Sequence, residues 1–113
     1  MKVDFEVQED NTADIIAAVK AATEVALERI GLLGEGHAIS EITIMGAVDT
    51  GRLRNSITHT ADSEWAYIGT NVEYAPYVEY GTSKMPARPF LSTAAQAYAD
   101  EYLAIFEEEI SKV

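Results

Sequence analysis

Residues 73–90 read EYAPYVEYGTSKMPARPF, and the way this stretch folds decides how the two halves of the chain meet. It holds all three prolines and four of the ten aromatic residues of the sequence. Tyr74, Tyr77 and Tyr80 recur at every third position. Pro76 suits the first position of a helical turn, where its missing N–H has no bond to lose. Gly81 suits the position just past a helix end, where a left-handed dihedral is common. A short helix is therefore expected over 76–80, with Tyr77 and Tyr80 on one face and Tyr74 just before it on the same side. Residues 82–87 read as a loop, and Pro89 opens a second helix. Its stripe of Leu91, Ala94, Ala95, Tyr98, Tyr102, Ile105, Phe106 and Ile110 runs nearly to the C-terminus. Replacing Gly81 with valine is expected to cost about 1–3 kcal/mol through backbone strain.

Upstream, Trp65, Tyr67 and Ile68 form a strand, 61–64 a polar turn, and 56–60 a second strand with Ile57 inward; together they make a β-hairpin. Val48 to Leu53 reads as a turn in which Asp49 or Thr50 accepts backbone bonds and Gly51 allows an unusual dihedral. Residues 39–48 fit a helix through Ile39, Ile42 and Met45, and a strand through Ile42 and Ile44; the helix is preferred. Gly31, Gly34 and Gly36 cost roughly 1 kcal/mol each inside a helix, so a stop, kink or hinge is expected there. Before them, Ile15, Val19, Ala22, Ala26, Ile30 and Leu33 recur at helical spacing. Asn11 or Thr12 can cap that helix, and Asp14 favours its first turn. Val3, Phe5 and Val7 alternate as a short strand. The fold class is α+β: a small, mainly antiparallel sheet packed against a long N-terminal helix and a C-terminal helix.

A chain of 113 residues is read as one domain, 1–113. It has no cysteine, which excludes disulfides and thiolate metal sites. MKVDFEVQED has no apolar run of the kind a secretory signal needs, and no stretch approaches the roughly 20 apolar residues that span a membrane. A soluble protein made in a cytoplasm is expected. The net charge is −11, which repels free DNA and anionic membranes. The charge is uneven: −6 over residues 1–44, −1 over 45–92 and −4 over 93–113. Half of the basic residues, Arg52, Arg54, Lys84 and Arg88, lie in the middle segment. This suggests a central contact surface flanked by acidic helices.

No catalytic, metal-binding or cofactor site emerges. His37 and His59 have no partner at metal-ligand spacing, and His59 reads as a half-exposed structural residue. Ser56, Ser83 and Ser92 lie in no nucleophile-elbow pattern. The glycines at 31, 34 and 36 lack the lysine and hydroxyl of a phosphate loop. Glu107, Glu108 and Glu109 oppose the helix dipole and should fray the end unless neutralised. The tyrosine row is read either as one buried helical face or as a protein–protein anchor, for which tyrosine and arginine are the enriched types.

VDTGRLRNSI, beginning at Val48, resembles the V-D-T-G-x-L-x-x-S-I signature of small tail-component proteins of tailed bacteriophages. YAPYVEYGTSKMPARPFL, beginning at Tyr74, resembles its second half, Y-A-x-Y-V-E-x-G-T followed by M-x-A-x-P-F-L. The order of helix, first motif, hairpin, second motif and helix is similar too. One departure is Ala47, where many members carry proline. The resemblance implies a structural protein without catalytic residues. It implies a tail-completion or head–tail joining component, forming a ring with copies of itself and meeting neighbouring connector or tail proteins. DNA would pass through the channel without specific binding, no membrane would be involved, and the location would be the virion. Arg52, Arg54, Tyr77, Tyr80, Lys84 and Arg88 are the expected contact residues. Glu107–Glu109 of a neighbour would be natural partners for the bases. Alternatives are a tail terminator ring, an acidic DNA mimic suggested by the charge, and a small hydrolase using His59.

Overall fold

The computed structural model describes residues 11–46 and 50–113. The strand expected around Val3, Phe5 and Val7, and the turn residue Asp49, lie outside the described residues. Helix α1 takes Thr12–Met45 without a break, a run of about 50 Å at 1.5 Å per residue. Then follow α2 (Thr50–Ser56), the hairpin of β1 (Thr58–Ala61) and β2 (Ala66–Gly69), α3 (Ala75–Tyr80), α4 (Phe90–Gln96) and α5 (Ala99–Ser111). This is the expected α+β arrangement, a two-stranded antiparallel sheet and a C-terminal helix packed on a long N-terminal helix. Among the described residues no helix is long and apolar enough to cross a membrane.

The glycine cluster does not stop α1, contrary to expectation. Gly31 and Gly34 are buried where the hairpin lies against the helix. In the register, His59 faces Ile68 across the sheet. A Cβ on Gly31 would stand 3.0 Å from His59 Cδ2, and one on Gly34 would stand 3.2 Å from Ile68 Cγ2. The missing side chains let the sheet approach the helix backbone. That packing offsets their cost of about 1 kcal/mol each in helix propensity.

The preferred helix over 39–48 continues to Met45, where Gly46 caps it in a left-handed conformation at φ 62°. Of the turn expected at 48–53, the described residues 50–53 instead open α2, and Gly51 has no positive φ. The strand expected over 56–60 begins only at Thr58, because Ser56 closes α2; Leu53 in α2 and Ile57 just after it are both buried. They join Ala38, Ile42, Val72, Ala75, Val78, Phe90 and Ala94 in one core around the C-terminal part of α1.

The helix expected from Pro89 to the C-terminus is broken at residues 97–98 into α4 and α5. Two tyrosines account for the break. The Tyr98 ring stacks on His37 with centroids 3.5 Å apart, and its hydroxyl donates to Glu41 at 2.8 Å. The Tyr102 hydroxyl donates to the Ala94 carbonyl in the last turn of α4. From there α5 runs antiparallel to α1, pairing Glu101 with His37 and Glu109 with Arg29.

The acidic end of α5 is neutralised within the chain. Arg29 donates to Glu109 at 2.5 Å and to Glu108 at 3.3 Å, and Lys112 donates to Glu109 at 3.2 Å. Arg29 first, and Lys112 second, hold the Glu109 carboxyl below the usual carboxylate range. Two of the three glutamates expected to meet a neighbour's bases are thus already engaged.

Candidate interaction surfaces

The two motif segments fold largely into each other. Ser56 Oγ donates to the Leu53 carbonyl at 2.6 Å and bonds the Thr70 hydroxyl at 2.5 Å. Thr70 Oγ1 in turn accepts the Val72 N–H at 3.1 Å. Arg52 grips Glu73 through two bonds of 3.0 and 2.9 Å, and its guanidinium lies 5.6 Å from the Tyr74 ring centroid. Arg52 holds the Glu73 carboxyl below its ordinary range. Buried Glu79 accepts the N–H groups of Leu91 and Ser92, both at 2.9 Å, and the Ser92 hydroxyl at 2.5 Å. It therefore caps α4 from the neighbouring helix, filling positions that helix starts leave unsatisfied. No buried side-chain polar atom among the described residues lacks a partner.

The expected contact residues divide. Arg52 is committed to Glu73 and Tyr74. Arg54, Lys84 and Arg88 form no ion pair with a described residue. Arg54 projects from the last turn of α2, Lys84 from the loop after α3, and half-buried Arg88 from the segment before α4. Tyr77 is 59% exposed and Tyr80 79% exposed, so the core reading of the tyrosine row fails for these two. Only Tyr74 packs against the core. Burial goes instead to Ala75, Val78 and Glu79, on the side of α3 facing α4. Tyr80 borders a cleft of about 370 Å³ with Val72, Pro76 and Leu91.

A second surface is an unsupported helix end. From Asn11 to Ala21 every residue is exposed, and the first buried residue of α1 is Ala26. Ile15, Ile16 and Val19 continue the core-facing stripe into solvent, Ile16 at 63% exposure. The rod measures 79 × 21 × 20 Å, with a radius of gyration of 20.3 Å; a compact domain of 100 residues has about 13 Å. Sequence reading missed this arm because the apolar stripe looks the same with or without a partner. The signal was length: α1 has 34 residues and α5 only 13.

His59 is more tightly held than its sequence context suggests. Nδ1 meets the Glu35 carboxylate, and Nε2 meets that of Glu28 at 2.7 Å. These acids stand two turns apart on α1, and Gly31 between them gives the ring room. Across the sheet stands uncharged Ile68. Both bonds form only when both ring nitrogens carry hydrogen, so Glu28 first, and then Glu35, raise the His59 pKa. Neither nitrogen is left to act as a base. A raised native value means folding takes up a proton. The contribution to stability is complete below about pH 6.5 and is lost as pH rises through the native value. The melting temperature should fall over that interval, and less steeply for His59→Gln, as pH-dependent thermal unfolding of the two proteins would report.

Comparison with family models, with curated proteins and with solved structures returns no match.

Proposed function

We propose that the chain is a structural subunit of a tailed-phage or prophage virion, a tail-completion or head–tail joining component that assembles as a ring. The two motif stretches that resemble that family support this reading, and one observation carries it. Folding engages several polar groups from which chemistry could be built, among them both His59 nitrogens, the Ser56 hydroxyl and the Glu79 carboxylate. What the motif segments leave outside is Tyr77, Tyr80, Arg54 and Lys84, of which tyrosine and arginine are the types enriched where proteins bind one another. Ring assembly needs two unlike patches per subunit, each meeting the other on a neighbour. An acidic surface facing a central channel would let DNA pass without adhering.

Immunogold electron microscopy of tailed particles from the producing bacterium tests the reading. Label at the junction of head and tail is the expected result. Label on isolated headless tails would favour the terminator ring. Absence of label from particles, with competition against DNA for a basic protein, would replace the reading by the acidic mimic.

A further inference from the structure

Two surface features stand at opposite ends of α1. One is the arm, residues 12–25 of α1, with Ile15, Ile16 and Val19 bare. The other is the end formed by α2, α3 and the segment leading into α4. Arg52, Arg54, Lys84 and Arg88 there outnumber Glu41, Glu73 and Glu79, giving +1 in a chain of −11, with Arg52 itself held by Glu73. At that end Glu41, Ile44, Met45, Arg88 and Pro89 line a shallow cleft of about 160 Å³, where the Glu41 carboxylate already accepts the Tyr98 hydroxyl, and Ile44 is 76% exposed.

We infer that the arm of one copy docks on the basic end of the next, so that the chain associates head to tail with itself. The contact rests on the ring reading above and gives that ring its two surfaces. The arm cannot reach its own basic end, because one unbroken helix of 34 residues separates the two. Isolated helices of this length are marginal in water, so the arm is stabilised by being covered. Charge selects the cover. The arm carries Asp14 and Glu24 against Lys20, and the ten residues joined to its free end add Asp4, Glu6, Glu9 and Asp10 against Lys2. That acidic, apolar-striped element faces like charge over most of this protein. It finds opposite charge beside bare apolar side chains at the Ile44–Arg88 cleft. Two arms laid side by side would bring acids together instead. Because the two patches differ, the contact is heterologous and repeats from copy to copy. A single helical arm buries less than the roughly 1,200 Å² of a typical stable pair, so one contact is weak and assembly depends on concentration.

The test uses full-length protein, with native mass spectrometry and sedimentation over a concentration series. The wild type is expected to assemble. Ile15→Asp with Val19→Asp removes the arm's apolar face without touching the core. Lys84→Glu with Arg88→Glu reverses the basic end. Each double variant should remain a monomer with an unchanged circular dichroism spectrum. Mixed together they should form one-to-one heterodimers and nothing larger, because one intact copy of each surface remains. A basic-end variant that assembles like the wild type would show arm–arm pairing and overturn the contact. So would an arm variant that changes only monomer stability, showing that the chain's own first residues cover the arm. Rings indifferent to both variants would sink the contact and leave the ring reading standing. A wild type that never assembles would sink the ring reading with it.

Discussion

Replacing Gly81 with alanine is expected to cost more than 3 kcal/mol, above the range of about 1–3 kcal/mol that backbone strain alone supplies. Gly81 lies at φ 77° and ψ 176°. This is not the left-handed helical conformation expected past a helix end but an extended conformation with positive φ, which is essentially confined to glycine. A second term adds to the strain. A Cβ here would stand 2.6 Å from the Ala87 nitrogen and 2.9 Å from the Met85 carbonyl oxygen. Both are backbone atoms, so no side chain can swing aside. They belong to the tight return in which Thr82 pairs with Met85 and the Arg88 N–H reaches the Val78 carbonyl at 2.7 Å. Relieving the clash opens that return and pulls Phe90, which is 1% exposed, out of the core. Urea unfolding should show a lower midpoint with a near-normal slope. An unchanged midpoint would mean that the loop approaches Gly81 less closely than described.

Glu79→Ala is the second large effect, expected at about 2–5 kcal/mol. Glu79 is buried and accepts three hydrogen bonds, two of them from the first turn of α4. Truncation leaves two backbone N–H groups and a hydroxyl without acceptors and opens a cavity beside Val78. Glu79→Gln is the informative companion. Its amide keeps one acceptor oxygen but turns an NH₂ group towards donors, so an intermediate loss is expected. Equal losses for both variants in chemical denaturation would assign the effect to volume rather than to capping.

Much of the fold was legible because its signals are local. Pro76 and Gly81 bracket α3, and Tyr67 and Ile68 mark the second strand of the hairpin. The failures were tertiary. Gly31 and Gly34 look like breakers until the hairpin that needs them is in place. Tyr98 and Tyr102 extend a helical stripe until His37, Glu41 and the Ala94 carbonyl draw them off it. Gly51 looks like a turn residue until Leu53 and Ile57 require a helix. Among the candidate contact residues, Arg54 and Lys84 are exposed as expected. Arg52 is taken by Glu73, an acid 21 positions away that no local pattern connects to it. The clamp on His59 was equally hidden, since Glu28 and Glu35 are 31 and 24 positions distant.

The central claim is that this chain is an assembly subunit whose arm waits for another copy. Hydrogen exchange along α1, measured at dilute and at assembling concentrations, tests it most directly. Amides of residues 12–25 should exchange rapidly in the monomer and become protected on assembly, while those from Ala26 to Met45 stay protected throughout. Protection of the arm in a proven monomer, or an arm that still exchanges rapidly in the assembled state, would contradict it.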